Sequence, residues 1–398
     1  MARLGDVFER QITGEWGSEC LENETGTNIL RTTNFTSDGI INYNNVVVRS
    51  IKKSKVESKR LHYGDIILEK SGGTDKTPVG RVVFCDPYIE TGTYLCNNFT
   101  QAMRVNPSMA VPKYVFYFMW NLHWSGKTEL MQNKTTGIRN LQVKSYLNQA
   151  LPIPSLDEQR RIAATLDKVT DLISKRRQQL DKLDELVKAR FVEMFGDTII
   201  NPHELPSVSL SKLANIVSGI TKGRKTNGEE LFEVPYMAVS NVKSGYIDWT
   251  TVKTIEATKS EIEQYHLQPF DVLMTEGGDP DKLGRGAIIQ NPPKDCIHQN
   301  HIFRVRIDSS GLLPQYLEEY LQHPKAKKYF LGCAKQTTGI ASINMTQLRN
   351  LPVLLPSLEQ QKKFSDFTEQ ISHHKLTIQR SLDKMETLKK ALMQQYFD

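Results

Sequence analysis

Three short fragments of the sequence contain residue types found in catalytic or cofactor-binding sites, and each lacks a part that the chemistry needs. Residues 291–294 read NPPK, similar to the signature of enzymes that methylate an amino group of a base, but this lysine offers no aromatic face for a flipped base. Residues 126–128 read GKT, as at the end of a phosphate-binding loop, but Asn121 stands where that loop needs glycine. His373 and His374 are adjacent, so on a helix they face different directions and make a poor metal pair.

The sequence also has no GxGxxG, GxSxG or CxxC motif, although its 398 residues are enough for an enzyme. Its five cysteines therefore predict neither a zinc ribbon nor a disulfide framework. We expect no metal site and no cofactor bound by this chain. A binding or scaffolding role is favoured over catalysis.

Basic and polar loops are the remaining candidates for a functional site, and several recur at matched places in the two halves of the chain. Lysine, arginine, hydroxyl and glycine residues suit contacts to the phosphates of a nucleic acid. The net charge of +6 gives weak support for a polyanionic partner, and any single loop of this kind is also typical of a solvated turn. The candidate DNA-contact residues are Lys52, Lys53, Lys70, Ser71, Lys76, Arg81, Lys134, Thr135, Thr136, Arg139, Thr221, Lys222, Arg224, Lys225, Lys282, Arg285, Thr337 and Thr338.

The elements that position these loops occur twice in the chain. TTGI at 135–138 returns at 337–340, and PSL at 154–156 returns at 356–358, each 202 residues later. A constant offset without a gap predicts a duplicated domain, with two copies related by a pseudo-twofold axis. The copies of these motifs are close, whereas the segments that precede them have diverged.

The first part of each half is rich in short β-branched and aromatic runs bounded by Gly, Asn, Asp or Pro, which predicts strands. Helices are predicted for residues 113–122 and 315–329. The predicted strands are 40–43, 46–48, 65–68 and 81–84 in the first half, and 234–239, 271–274 and 302–307 in the second.

The second part of each half is predicted to be one long helix. Residues 156–195 contain no proline or glycine, Ser155 is a suitable N-cap, and Gly196 is a suitable C-terminal stop. Asp157 and Glu158 lie in the first turn, where the helix dipole favours negative charge. Such a helix is roughly 58 Å long.

Residues 358–397 predict a second helix of the same kind. Apolar residues in both helices recur at steps of three and four, which is typical of helices that pair in a coiled coil. Arg176 interrupts this seam in the first helix, and Thr368, Lys375 and Lys389 interrupt it in the second. The seam residues are Ile162, Leu166, Val169, Ile173, Leu180, Leu183, Val187, Phe364, Ile371, Ile378, Leu382, Met385 and Leu392.

A helix of this length cannot bury such a seam alone, so the seam needs a partner. We expect the two helices to pack on each other as an antiparallel coiled coil that separates two globular domains. The alternative is that each helix folds back onto its own globular domain. The predicted class is α+β in either case.

The overall composition is that of a globular protein, with 39% hydrophobic and 24% charged residues. No apolar run approaches the roughly 20 residues needed to cross a bilayer, and residues 1–10 have no apolar stretch of signal-peptide type. We therefore expect a cytoplasmic protein without a membrane partner.

The chain resembles the specificity subunit of type I restriction-modification systems. The resemblance is most specific at TTGIRNL (135–141) followed by LPIPSLDEQRRIAATLDKV (151–169), and at TTGIASINMTQLRNLPVLLPSLEQQKKF (337–364). It extends over essentially the whole chain. The second copy departs slightly, with Phe270 before Asp271 where the first copy has Gly64 before Asp65.

This resemblance implies a domain organisation in which residues 1–150 and 198–352 are target-recognition domains. Residues 151–197 and 353–398 are then conserved spacer helices. It also implies that each recognition domain reads one half of a bipartite sequence in double-stranded DNA, while the helices set the spacing and dock two modification (methyltransferase) subunits. S-adenosylmethionine is expected on those partners, which methylate adenine N6, and restriction subunits join the full complex.

Two other functions remain open from the residues alone. The chain would be a stand-alone DNA methyltransferase if it held an unrecognised cofactor site. It would be a coiled-coil scaffold if its basic loops had no affinity for nucleic acid.

Overall fold

The computed structural model describes residues 1–21, 25–74, 77–135, 138–226, 228–279, 283–337 and 340–397. The chain divides into two compact units. The first comprises Met1–Gln178 and Gln379–Asp398, and the second comprises Gln179–Ile378. Each unit therefore contains part of each long helix.

The described part of the first unit has short strands in four small sheets. The sheet orders are β2-β9-β5-β7, β4-β3-β8, β10-β11-β6 and β1-β12. The strands are β1 (Ala2–Arg3), β2 (Phe8–Thr13), β3 (Thr27–Leu30), β4 (Val47–Arg49), β5 (Ile66–Glu69), β6 (Ser71–Gly73), β7 (Val82–Phe84), β8 (Tyr94–Cys96), β9 (Thr100–Val105), β10 (Gln132–Thr135), β11 (Ile138–Leu141) and β12 (Ala150–Leu151). The helices are α1 (Lys53–Lys59), α2 (Pro112–Trp124), α3 (Val143–Leu147) and α4 (Leu156–Phe195).

The described part of the second unit repeats these sheets in the same order, as β14-β21-β17-β19, β16-β15-β20, β22-β23-β18 and β13-β24. The strands are β13 (Ser207–Ser209), β14 (Ala214–Ser218), β15 (Phe232–Met237), β16 (Lys253–Ala257), β17 (Val272–Thr275), β18 (Gly277–Gly278), β19 (Gly286–Ile288), β20 (Ile297–His298), β21 (Ile302–Ile307), β22 (Lys335–Thr337), β23 (Ile340–Ser342) and β24 (Pro352–Leu354). The helices are α5 (Lys259–Tyr265), α6 (Pro314–Tyr320), α7 (Pro324–Cys333), α8 (Met345–Arg349) and α9 (Leu358–Phe397). The α+β class and the internal duplication are confirmed.

Two of the predicted elements differ in the structure. Residues 40–43 form a single bridge rather than a strand, because the buried Asn34 side chain donates to the carbonyls of Asn42 and Asn44 and holds this segment as a loop. The helix predicted for 315–329 is divided into α6 and α7. Pro324 lacks the N–H that a continuous helix needs and disfavours helical backbone in the residue before it.

Both long helices have the predicted bounds. The Ser155 hydroxyl accepts a hydrogen bond from the backbone N–H of Glu158 at 3.3 Å, as expected for an N-cap. In the first unit, α4 and α9 are joined by an ion pair from Arg177 to Glu386 at 2.8 Å, and Leu166 and Met393 share one core cluster. Contact positions rise along α4 as they fall along α9, so the helices are antiparallel there.

The same antiparallel pairing occurs in the second unit. Lys375 forms an ion pair with Asp184, and the guanidinium of Arg190 lies 5.9 Å from the ring centre of Phe367. The seam residues that are buried are Ile162, Leu166, Val169, Ile173, Phe364, Ile371 and Leu382. Those that are half-buried are Leu180, Leu183, Val187, Ile378, Met385 and Leu392. Lys375 thus interrupts the apolar seam but supplies an ion pair between the helices.

A buried glutamine fixes the start of each long helix to its globular domain. The side-chain carbonyl of Gln159 accepts a hydrogen bond from the backbone N–H of Val111 at 2.9 Å. Its side-chain amide N–H donates to the backbone carbonyl of Pro154 at 2.9 Å. Gln361, 202 residues later, accepts from the backbone N–H of Leu313 at 2.9 Å and donates to the carbonyl of the matching proline at 2.9 Å. Both glutamines are fully buried, which explains why the PSL-x-x-Gln segment is so similar in the two copies.

The far end of each helix fills the core of a globular domain with large side chains. Phe191 and Phe195 of α4 pack against Tyr316 in the second unit, with ring centres 5.4 and 5.0 Å apart. At the matched position in the first unit, Phe397 of α9 packs against Tyr114 at 5.2 Å. The helices therefore pair with each other and also dock onto globular domains at their ends.

We expect the Phe191→Ala variant to be less stable by about 3–5 kcal/mol, because it removes a buried ring from between several aromatic neighbours. Urea unfolding followed by circular dichroism measures this loss. The Val192→Ala variant is the matched control, since Val192 lies next on the same helix with 46% of its surface exposed. Equal stability of the two variants would contradict the proposed role of the helix end.

Candidate nucleic-acid interface

The structure brings the Gly-Gly segment and the TTGI motif together in one small sheet of each unit. In the first unit, Thr135 and Ile138 of TTGI are the last residue of β10 and the first residue of β11, and β11 pairs with β6, which contains the glycines. In the second unit, β23 pairs with both β22 and β18 in the same way. Motifs about 60 residues apart in the sequence thus form one surface, which we call the hairpin sheet.

Five candidate DNA-contact residues of the first half belong to this hairpin sheet or border it: Lys70, Ser71, Lys134, Thr135 and Arg139. Lys70 is half-buried, and its carbonyl accepts from the backbone N–H of Leu141 at 2.8 Å. The Ser71 hydroxyl bonds the side-chain oxygen of Asn140. The register places Lys134 opposite Arg139.

The remaining candidate residues near TTGI and near the Gly-Gly segments fall partly outside the described residues. Lys76, Thr136, Lys282 and Thr338 lie in the undescribed segments. For Lys134, Thr135 and Thr337 the structure describes the backbone, which belongs to the strands of the hairpin sheets.

The other lysines of the first half lie on a different element. Lys52 and Lys53 are exposed at the start of α1. This helix follows β4 in the sequence. Later in the same helix, Lys59 and Lys55 bond Glu15 and hold the pKa of that carboxyl below its usual value. The charges of Lys52 and Lys53 are therefore available for a partner, whereas the other two are used within the fold.

In the second half, the loop before β15 contains four candidate residues. Three are exposed, and one forms an ion pair within the fold. Thr221, Lys222 and Lys225 are exposed. Arg224 instead forms a bidentate ion pair with Glu261, and its guanidinium lowers the pKa of that carboxyl.

Arg81 and Arg285 occupy matched positions, immediately before β7 and β19, but differ in their partners. The Arg81 guanidinium donates two hydrogen bonds of 2.8 Å to the buried carboxylate of Glu69, which raises the pKa of the arginine. Among the described residues, Arg285 has no carboxylate partner. We therefore leave Arg81 and Arg224 out of the candidate interface and keep Arg285.

Sequence reasoning missed exposed aromatic residues beside a turn that is shared by both units. Tyr63 is 60% exposed in the first unit and Phe270 is 55% exposed in the second. Gly64 and Phe270 both adopt the left-handed region, at φ 90° and 70°, a strained conformation for a bulky residue. The signal in the sequence was the replacement of glycine by phenylalanine before a matched aspartate. That aspartate anchors this turn in both copies.

A cavity of about 240 Å³ lies within the first unit, where α2 meets the paired helices. Trp120 and Trp124 stack at 5.7 Å, and the Lys389 ammonium lies 4.2 Å from the ring centre of Trp120. Lys389 is 8% exposed, and burial lowers its pKa to about 8. The lysine that interrupts the predicted seam is thus packed against an aromatic wall.

Some classes of site are absent from the part of the chain that the structure describes. There, no group of three or more His, Cys, Asp or Glu side chains is arranged to hold a metal ion. Nor does any helix in those ranges have the length and apolar character required to cross a bilayer.

Comparison with known proteins identifies relatives of both halves. The family model described as type I restriction modification DNA specificity domain matches residues 1–184 and again 203–386. The EcoKI specificity subunit, from a type I restriction enzyme of Escherichia coli strain K12, is 23% identical over 345 residues, covering 82% of this chain and 72% of that protein. The StySPI specificity subunit of Salmonella potsdam is 22% identical over 353 residues, covering 85% and 74%.

Solved structures with the same fold cover the whole chain. The crystal structure of the type I restriction-modification system S subunit from M. genitalium has a TM-score of 0.56 at 15% identity, covering 100% of this chain and 95% of that one. A chain from a structure that addresses complex assembly and conformational transition of the type I R-M system has a TM-score of 0.54 at 17% identity, covering 100% and 96%. At these identities the likeness shows the fold.

We expect the Lys389→Met variant to be more stable than the wild type at pH 7 by about 1–3 kcal/mol, because it removes a buried charge. The unfolded chain holds this proton up to about pH 10.5 and the folded chain only up to about pH 8. The wild-type free energy of unfolding therefore rises with pH between these values, and the advantage of the variant shrinks there.

Urea unfolding at several pH values measures both effects, with exposed Lys390→Met as the matched control. A Lys389→Met variant that loses stability at pH 7, or that keeps a constant difference from the wild type up to pH 10, would contradict this account.

Proposed function

The chain belongs to the family of type I restriction modification DNA specificity domains, and from this premise we propose that it is the subunit that reads the DNA target for a type I restriction-modification complex. Each unit reads one half of a bipartite sequence. The observation that carries this proposal is the recurrence of the whole sheet order, including the hairpin sheet, in two units of one chain.

The two units are suited to reading different half-sites through the same frame. The residues that hold the helices to the domains are nearly identical in the two copies, whereas the candidate contact loops differ in sequence and in charge. Phosphate contacts fix register and base-edge contacts read sequence. Two units connected by one chain gain affinity together, since the second binding step becomes intramolecular.

Both connections between the units are helical, because α4 continues through residues 178 and 179 and α9 continues through residues 378 and 379. We propose that these helices set the gap between the two half-sites. A helix resists changes in length and rotation, so that gap length becomes part of the specificity.

The helices also offer matched surface for two copies of a partner. Leu186 and Leu388 lie 202 residues apart in the sequence and are 46% and 49% exposed. A single exposed leucine is ordinary, but a pair at equivalent positions suits two identical subunits. We propose that two modification subunits dock here and supply S-adenosylmethionine and the methyl transfer, with restriction subunits joining the full complex. This chain then has no catalytic role of its own.

The first test is to map methylated adenines in the host genome with and without this gene. We expect one bipartite motif with a fixed gap to lose methylation when the gene is deleted. Purified chain with its modification subunits should prefer a duplex that carries this motif over a scrambled one, with affinity that falls steeply with salt.

An unchanged methylation pattern, together with no preference in the binding assay, would contradict the proposal. S-adenosylmethionine binding to the isolated chain would favour a stand-alone methyltransferase instead. Absence of DNA binding at every salt concentration would favour a scaffold role.

The second test lengthens both helices. A heptad inserted between residues 178 and 179 and another between residues 378 and 379 leaves the helix pairing within each unit intact. Seven residues add about 10 Å, which corresponds to about three base pairs. We expect the methylated motif to keep both half-sites and to acquire a gap about three base pairs longer.

A variant with only one heptad is the matched control, because unequal helices lose their register and should lose recognition. A folded double-insertion variant that methylates the original gap would contradict the role of the helices in spacing.

A further inference from the structure

One cross-strand pair differs in charge between two units that otherwise share the same local backbone. In the first unit, the N–H of Glu69 donates to the carbonyl of Arg81 at 2.8 Å. In the second, the N–H of Thr275 donates to the carbonyl of Arg285 at 3.1 Å. The glycine before each arginine adopts the left-handed region in both units. The two pairs are therefore equivalent positions of the duplicated sheet.

In the first unit this pair is neutral as a whole. Both oxygens of the Glu69 carboxylate accept from the Arg81 guanidinium at 2.8 Å. One of these nitrogens also donates to the carbonyl of Thr32 at 3.3 Å, and the guanidinium lies 5.8 Å from the ring centre of Phe35. A guanidinium that is paired with a carboxylate in this way has little net charge left to attract a ligand.

In the second unit the carboxylate is replaced by a hydroxyl. Thr275 is fully buried, and its hydroxyl has no hydrogen-bond partner among the described residues. The Nε of Arg285 is also buried without a partner there. Because Arg285 is half-buried as a whole, its accessible surface lies elsewhere on the residue, and its positive charge is not cancelled by a neighbouring acid in the described ranges.

A cation without an acid partner among the described residues, beside a strand end that is followed by two glycines, suits an external anion. Guanidinium binds phosphate through several N–H groups at once. Gly277 and Gly278, which follow Thr275 closely in β18, have no side chains to keep a phosphate backbone away.

We propose that Arg285 contacts a backbone phosphate of DNA and that the first unit has no equivalent contact, because Glu69 cancels Arg81. This inference rests on the proposed function and deepens it, since the two units would then make different numbers of phosphate contacts. Thr275 permits this contact, because it occupies the position of Glu69 without neutralising the arginine.

The test measures how DNA affinity depends on salt, using the chain in complex with its modification subunits. Two duplexes are compared, one of mixed sequence and one that carries the methylated motif. Each phosphate contact contributes about 0.9 to the slope of log affinity against log salt. We expect the slope measured for the Arg285→Ala variant to be shallower by about 0.9, the contribution of one phosphate contact. The Thr275→Glu variant should lose the same amount although it retains the arginine, because it recreates the ion pair of the first unit.

Two variants serve as controls. Arg285→Lys keeps a positive charge and should keep the slope of the wild type. Arg81→Ala should also keep the slope, and instead lower the melting temperature, because it leaves the buried carboxylate of Glu69 unpaired. Circular dichroism establishes that each variant used in the binding assay is folded.

The outcomes separate this inference from the function on which it rests. Steep salt dependence in the wild type, with unchanged slopes in Arg285→Ala and Thr275→Glu, would overturn the phosphate contact and leave the DNA-reading function intact. A loss of affinity confined to the duplex with the methylated motif would also overturn it, in favour of a base contact. If the wild-type complex binds no DNA, both proposals fail together.

Discussion

The packing of each helix end into a globular core is the interaction on which the rest of the structure depends. Phe191 and Phe195 at the end of α4 complete the core of the second unit, and Met393 and Phe397 of α9 complete that of the first. The chain therefore returns to its first unit at its C-terminal end. Neither core is complete without a helix that begins in the other half of the sequence.

This arrangement explains which parts of the two copies stay alike. The Tyr114 hydroxyl donates to the carbonyl of Pro152 at 3.0 Å, and the Tyr316 hydroxyl, 202 residues later, donates to that of Leu354 at 2.7 Å. Such bonds satisfy buried polar groups at the junction of helix and domain, where an unsatisfied group costs about 1–3 kcal/mol. A loop that faces solvent has no such constraint and can diverge.

The sequence predicted the features that depend on local patterns and repetition: both long helices, their antiparallel pairing and the duplicated domain. It did not predict the division into α6 and α7, although Pro324 gave the signal. Nor did it separate Arg81 from Arg285, since both read as basic residues after glycine, and the acid that neutralises one of them lies 12 residues away on another strand. Lys389 was read as a break in the seam, but the aromatic wall that accepts it is formed by α2, far away in the sequence.

The contrast between Glu69 and Thr275 shows how a duplicated frame acquires two different surfaces. The backbone bond across the strands is the same in both units, so the fold does not require the change from an acid to a hydroxyl. What changes is the charge at the surface: a neutral pair in one unit and, among the described residues, a guanidinium without an acid partner in the other. Because the backbone pairing fixes the position of the arginine, one residue difference on the neighbouring strand changes the surface charge without changing the frame. Two domains built on one frame can in this way acquire different surfaces while the residues that hold the helices to them stay alike.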